Sequence, residues 1–140
     1  MTAYVADASV AIKWFISEMY TPEALRLLDG THEVAAPDLI HAEIGNILWK
    51  KVRRKELTGA EGRGLLKDFQ KMNLKIVPAR LLLSTAYDLA IRYEQTVYDC
   101  LYLSLALAGS CQLVTADLRF YRAFAGGPLA QRMAWVEDEL

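Results

Sequence analysis

The sequence predicts an α/β fold: a central parallel sheet of four or five short strands between helices, three layers α/β/α. Three observations predict it. Short apolar runs alternate along the chain with segments of helical periodicity, the pattern of strand–helix–strand crossovers. The segment Val97 to Ala108 is apolar nearly all round, with Val97, Leu101, Leu105 and Ala108 on one face and Cys100, Tyr102, Leu103 and Leu107 on the others, so it reads as a buried helix. Carboxylates stand at the ends of the first and fourth apolar runs, and open sheets of this kind bind ligands at the carboxyl ends of their strands.

In order, Ala3 to Ala6 is the first strand and ends at Asp7. Ser9 and the VAIKWF that follows read as the first helical turns. Thr21-Pro22-Glu23 opens a second helix, with Thr as N-cap, Pro at the first helical position and an acid in the first turn; Gly30 ends it. Glu33 to Ala36 is the second strand. Asp38 is expected to cap a long helix, LIHAEIGNILWKKVRRKEL, whose apolar stripe is Leu39, Ile40, Ile44, Ile47, Leu48 and Val52. Thr58-Gly59-Ala60-Glu61 is a capping box that opens the next helix. Leu74 to Val77 is the third strand, stopped by Pro78. Ala79 to Glu94 reads as one amphipathic helix, with Leu82, Ala86, Leu89, Ala90 and Tyr93 inward. After the buried helix come the fourth strand, Gln112 to Thr115, then Asp117, a short helix LRFYRAF and a fifth strand at Met133 to Val136.

A length of 140 residues suits one domain, residues 1–140, with a core large enough to need no staples. The apolar fraction is 54%, but it is spread over short runs, and none approaches the ~18 residues of a membrane span. The opening MTAYVADASV has no basic region before an apolar one, so no secretory signal is expected. Cys100 and Cys111 carry no zinc or redox spacing and read as free thiols of a cytoplasmic protein. His32 and His41 are isolated and read as surface residues, while Tyr93, Tyr98, Tyr102, Phe120 and Tyr121 read as core or subunit interface in preference to base-stacking platforms. The net charge of −1 does not advertise a nucleic-acid binder. The only basic run is Lys50, Lys51, Arg53, Arg54 and Lys55, which reads either as a solvated helix end or as a set of phosphate contacts.

Four acids interrupt apolar elements: Asp7, Glu43, Asp99 and Asp117. Each has a plain reading. Asp7 and Asp117 suit helix N-caps, Thr96-x-x-Asp99 resembles a capping box, and Glu43 alone is a solvated helix acid. Together, at the carboxyl edge of one sheet, they form an all-oxygen donor set. Such a set suits Mg²⁺ or Mn²⁺ and does not suit zinc. A hard cation there polarises a phosphoryl oxygen and activates a water for in-line attack. Ser9 and Thr115 add hydroxyls near the same edge, and Asn46, one turn from Glu43, is placed to hold that carboxylate or a ligand water.

The segments YVADASVAIKWF, APDLIHAEIGNIL, TVYDCLYLSLALAGSCQLVTAD and LRFYRAF, in that order, resemble PIN-domain proteins of the VapC type, the toxins of toxin–antitoxin pairs. The resemblance covers essentially the whole chain. It implies the PIN-like three-layer fold and a Mg²⁺- or Mn²⁺-dependent endoribonuclease acting on tRNA or other structured RNA. It makes Asp7, Glu43, Asp99 and Asp117 the catalytic acids, with Asp7, Asp99 and Asp117 on the metal and Asn46 and Thr115 in support. It also implies a VapB-like antitoxin and a homodimer. Two other readings compete. A phosphotransfer protein needs a second acid beside Asp7 and a Lys after the fourth strand, and neither is present. A non-catalytic PIN-like binding domain predicts no metal binding and no RNA cleavage.

Overall fold

The computed structural model describes residues 2–140. Five parallel strands form one sheet in the order β3-β2-β1-β4-β5: β1 (Thr2–Ala6), β2 (His32–Pro37), β3 (Lys75–Val77), β4 (Gln112–Thr115) and β5 (Met133–Trp135). The chain moves from β1 to β2 and β3 on one side, then crosses back to place β4 and β5 on the other. Val5 is therefore flanked by Ala35 and by Leu113. The gap between the carboxyl ends of β1 and β4 is the switch point of the sheet, where loops diverge and leave a crevice.

Tyr4, Val5 and Ala6 are all buried, so β1 carries a continuous apolar run in place of an alternating one. Alternate residues serve two cores. Val5, Ala36, Leu113 and Met133 face one layer; Tyr4, Ala6, Val34, Val114 and Ala134 face the other. The second layer is thin, made by Val10 of α1 (Ala8–Ala11) and by Ala24 of α2 (Thr21–Leu25) with Leu27 beyond it. The first is thick and holds α3 (Leu39–Arg53), α4 (Gly59–Gln70), α5 (Leu83–Tyr93), α6 (Val97–Ala108) and α7 (Leu118–Ala123).

The α6 helix is buried on every side from Cys100 to Ala106 and packs on β1, β2 and β4, as its apolar circumference predicts. The two thiols are free; Cys100 is buried and Cys111 half-buried. The predicted capping box forms in full: Glu61 N–H donates to Thr58 Oγ1 at 3.1 Å, and Thr58 N–H donates to Glu61 Oε1 at 2.9 Å. Thr58→Ala is expected to lower unfolding free energy by about 1 kcal/mol, read in a urea melt. Among the described residues, no helix is long and apolar enough to cross a membrane.

Three expected helix starts differ. Thr21 is inside α2, and the residue before it, Tyr20, is left-handed at φ 69° with no side-chain cap. The Thr21 hydroxyl instead accepts from Glu18 N–H and donates to the Ile16 carbonyl, closing the preceding loop. Asp38 does not cap α3; its Oδ1 accepts from Ala79 N–H at 2.9 Å and ties the end of β2 to the end of β3. Residues 79–81 form a 3-10 turn, and α5 starts only at Leu83. The α3 helix also stops at Arg53, four residues short of Leu57. His32 and His41 are not surface residues: both are half-buried, with edge-to-face contacts to Tyr4 and Phe69.

Candidate active site

Asp7 ends β1 and begins α1. Its backbone is extended, and its Oδ1 accepts from Val10 N–H at 3.2 Å, a helix N-cap. The same oxygen accepts from the Ser9 hydroxyl at 2.5 Å. Ser9 Oγ in turn accepts from Ala116 N–H at 2.9 Å and lies 3.4 Å from Thr115 Oγ1, so it links the ends of β1 and β4. Thr115, wholly buried, also accepts from Asp117 N–H at 3.1 Å. Asp7 is only 7% exposed. Burial raises its pKa to about 6, helped by repulsion from Asp99 and opposed by Ser9, Thr115 and the Val10 N–H.

Asp99 lies in the first turn of α6. Its N–H donates to Thr96 Oγ1 at 3.1 Å, but unlike Glu61 its carboxylate does not complete the reciprocal bond of a capping box. The carboxylate is therefore left to the crevice. Burial raises its pKa, and Asp117 repels it further. Asp117 is the N-cap of α7, with Oδ1 accepting from Phe120 N–H at 3.2 Å, and is exposed. Asp99 and Asp117 line one cleft with Thr96 and Arg119.

Glu43 sits on α3 with its Oε1 held by the Tyr102 hydroxyl at 2.5 Å. Burial and then the Asp99 charge raise its pKa, against the lowering effect of Tyr102. The Tyr102 phenol is itself pushed up, by burial and by Glu43, Asp7 and Asp99 together. Asn46, expected to hold Glu43, is exposed and does not bond it; the hydrogen-bond donor comes from α6. Tyr102 is the site residue that sequence reasoning placed in the core. Its only signal is the i, i+3 spacing from Asp99, which puts both on one face of α6.

Burial is the main cause of the raised pKa of Asp7, Glu43 and Asp99; the Asp99 charge adds to it at Asp7 and Glu43, and the Asp117 charge at Asp99. Repulsion among carboxylates disfavours joint ionisation and is relieved by a bound cation. The donors are all oxygen, the set a hard cation takes. Among the described residues, no three His, Cys, Asp or Glu side chains are gathered into a ready-made cage. A hard cation here would therefore be completed by waters and substrate phosphate, with only one or two carboxylates bound directly.

Comparison with known proteins agrees with this architecture. The family model described as PIN domain matches residues 4–125. The chain is 30% identical over 122 residues to Ribonuclease VapC3 of Pyrobaculum aerophilum, covering 86% of this chain and 93% of that protein. It is 31% identical over 115 residues to Ribonuclease VapC9 of Mycobacterium tuberculosis, covering 82% and 86%. Among solved structures, a toxin–antitoxin complex from Klebsiella pneumoniae superposes with a TM-score of 0.67 at 14% identity, over 97% of this chain and 99% of the other. VapBC2 from Rickettsia felis, bound to a DNA fragment from the promoter, gives 0.64 at 16%, over 96% and 98%. At these identities the structural matches speak for the fold.

Proposed function

The chain belongs to the PIN-domain family, with relatives named VapC ribonucleases, and from that premise we propose that it is a VapC-type endoribonuclease toxin. In this reading it hydrolyses RNA phosphodiester bonds with Mg²⁺ or Mn²⁺, on tRNA or another structured RNA. The observation that carries the proposal is the placement of Asp7 and Asp117 just past the carboxyl ends of the neighbouring strands β1 and β4, with Asp99 lining the same cleft as Asp117. Asp7, Asp99 and Asp117 would hold the metal, in part through its waters, since no three carboxylates form a closed cage among the described residues. When bound, it supplies charge neutralisation at the scissile phosphate and a more acidic water. Asp7 is fixed by Ser9 and the α1 backbone, so its carboxylate faces the crevice in one orientation. Glu43, steadied by Tyr102, is positioned to accept a proton from an attacking water.

The test is cleavage of RNA with and without divalent metal. Cleavage in Mg²⁺ or Mn²⁺ and none in EDTA is the expected result, because in this reading the acids act on the phosphate through the metal. Undiminished cleavage in EDTA would refute the metal mechanism, and no cleavage in any metal would leave only a binding domain.

Partners follow the same reading. A VapB-like antitoxin would present an Arg to the acids, since a guanidinium matches carboxylate geometry in two parallel hydrogen bonds. A homodimer suits the exposed stripe Leu83, Tyr87 and Ile91 on α5, which sits beside exposed Leu81. The free thiols suit the cytoplasm.

A further inference from the structure

Helix α3 carries more than Glu43. Counting 100° per residue, Glu43, Asn46, Lys50, Arg53 and Arg54 fall within an arc of about 100°, on the side of the helix away from buried Leu48. Lys50 lies about 10 Å and Arg54 about 16 Å along the helix from Glu43, at a rise of 1.5 Å per residue. Between Glu43 and Glu56 the helix and its end hold five cations and no acid, in a chain of net charge −1. Among the described residues, Lys50, Arg53 and Arg54 enter no salt bridge, whereas Lys51 pairs with Glu18.

Two adjoining grooves run along this face and share Lys50. The first, about 480 Å³, begins at Glu43; its apolar walls are Leu39, Ile47 and the ring of Tyr98, and Asn46 stands at its lip. Tyr98, which the sequence places in the core or an interface, is 62% exposed and one residue from Asp99. The second groove is walled by Trp49, Arg53 and Arg54, with the Arg53 guanidinium stacked 5.5 Å over the Trp49 ring. Flat aromatic and aliphatic walls alternating with unpaired cations are what a single nucleic-acid strand needs. Bases stack on the rings and phosphates meet the cations.

We infer that this face of α3 is the track that leads single-stranded RNA into the acid site. The groove between Tyr98 and Ile47 takes the base beside the scissile phosphate, with the Asn46 amide at its edge. Lys50, Arg53 and Arg54 hold the next phosphates. The inference rests on the nuclease reading for its direction, because the track ends at Glu43. Charge complementarity selects RNA as the occupant of this stripe, because cations free of salt bridges attract the phosphates of a strand passing along it.

The experiment measures binding of an unstructured RNA oligonucleotide, blocked against cleavage by 2′-O-methylation, to the full chain in EDTA at several salt concentrations. The Lys50→Gln/Arg53→Gln/Arg54→Gln variant is expected to flatten the log–log salt slope by about 2, at about 0.7 per lost phosphate contact. Tyr98→Ala is expected to weaken binding about 5- to 150-fold with the slope unchanged. Lys75→Gln, on β3 away from this face, keeps both. All the positions are exposed, and unchanged thermal melts confirm the fold. A triple variant with wild-type slope, or a duplex bound as tightly as the single strand, overturns the track. Failure of the nuclease reading looks different: the unblocked RNA then binds with the same variant pattern and is not cut in Mg²⁺ or Mn²⁺.

Discussion

Asp7→Asn is expected to reduce RNA cleavage by more than about 100-fold, since even supporting groups around a metal ligand are worth 10- to 100-fold. The same variant is expected to be more stable than the wild type at neutral pH. Asp7 is buried and its pKa rises from 3.8 to about 6. For an acid with a raised folded-state pKa, the fold binds more protons than the unfolded chain between those values. Stability therefore falls as pH rises through that window, and the full penalty, on the order of 3 kcal/mol, is present above about pH 6. Asn removes the charge and still caps α1 at Val10 N–H, but it loses part of the strong bond from Ser9. A net gain of about 1–2 kcal/mol is expected at pH 7.5, fading near pH 4. Urea melts at the two pH values measure it. Wild-type cleavage would remove Asp7 from the chemistry, and an equal gain at both pH values would remove the charge from the explanation.

The second large effect concerns Asp99 and needs no substrate. A metal that binds only the folded chain raises its stability with concentration, by about 2.7 kcal/mol at 100 times the dissociation constant. Asp99→Asn should erase most of that Mg²⁺-dependent rise in Tm. Without metal it should be as stable as the wild type or more so, because the charge that repels Asp7 and Glu43 is gone. If Asp99 served only the helix end, the opposite pair would be seen: a loss of roughly 1 kcal/mol or less, and a Mg²⁺ shift left intact. Melts of both proteins with and without Mg²⁺ separate the two cases.

The sheet and the buried helix were legible because their signals are local. A run such as Tyr4-Val5-Ala6 buries both faces, and α6 has no polar side to turn outward. The acids were legible for the converse reason, as charges where burial was forecast. The remaining features depend on distant partners. Asp38 leaves its own helix because Ala79 N–H, 41 residues on, needs an acceptor. Glu43 is held by Tyr102, 59 residues away, and a Tyr in an apolar helix gives no sign that its hydroxyl will meet a carboxylate. Asn46 is the near neighbour in sequence, yet it points to the open groove. The inward face of α5 was legible as Leu82, Ala86 and Leu89, but the periodicity gave no sign that the opposite face carries an exposed apolar stripe of Leu83, Tyr87 and Ile91.

Asp7 and Asp117 share a detail. Each uses Oδ1 to close a helix N-terminus, on Val10 N–H in one case and Phe120 N–H in the other. Their rotamers are therefore frozen by folding, before any ligand arrives, and immobilising a free side chain on binding commonly costs about 0.5–1.5 kcal/mol. A cation captured here would lose little affinity to side-chain ordering. The helix starts act as a jig that sets two carboxylates in advance, so a capping mutation that leaves both acids in place, such as one that unwinds the first turn of α7, would cost ion affinity through disorder alone.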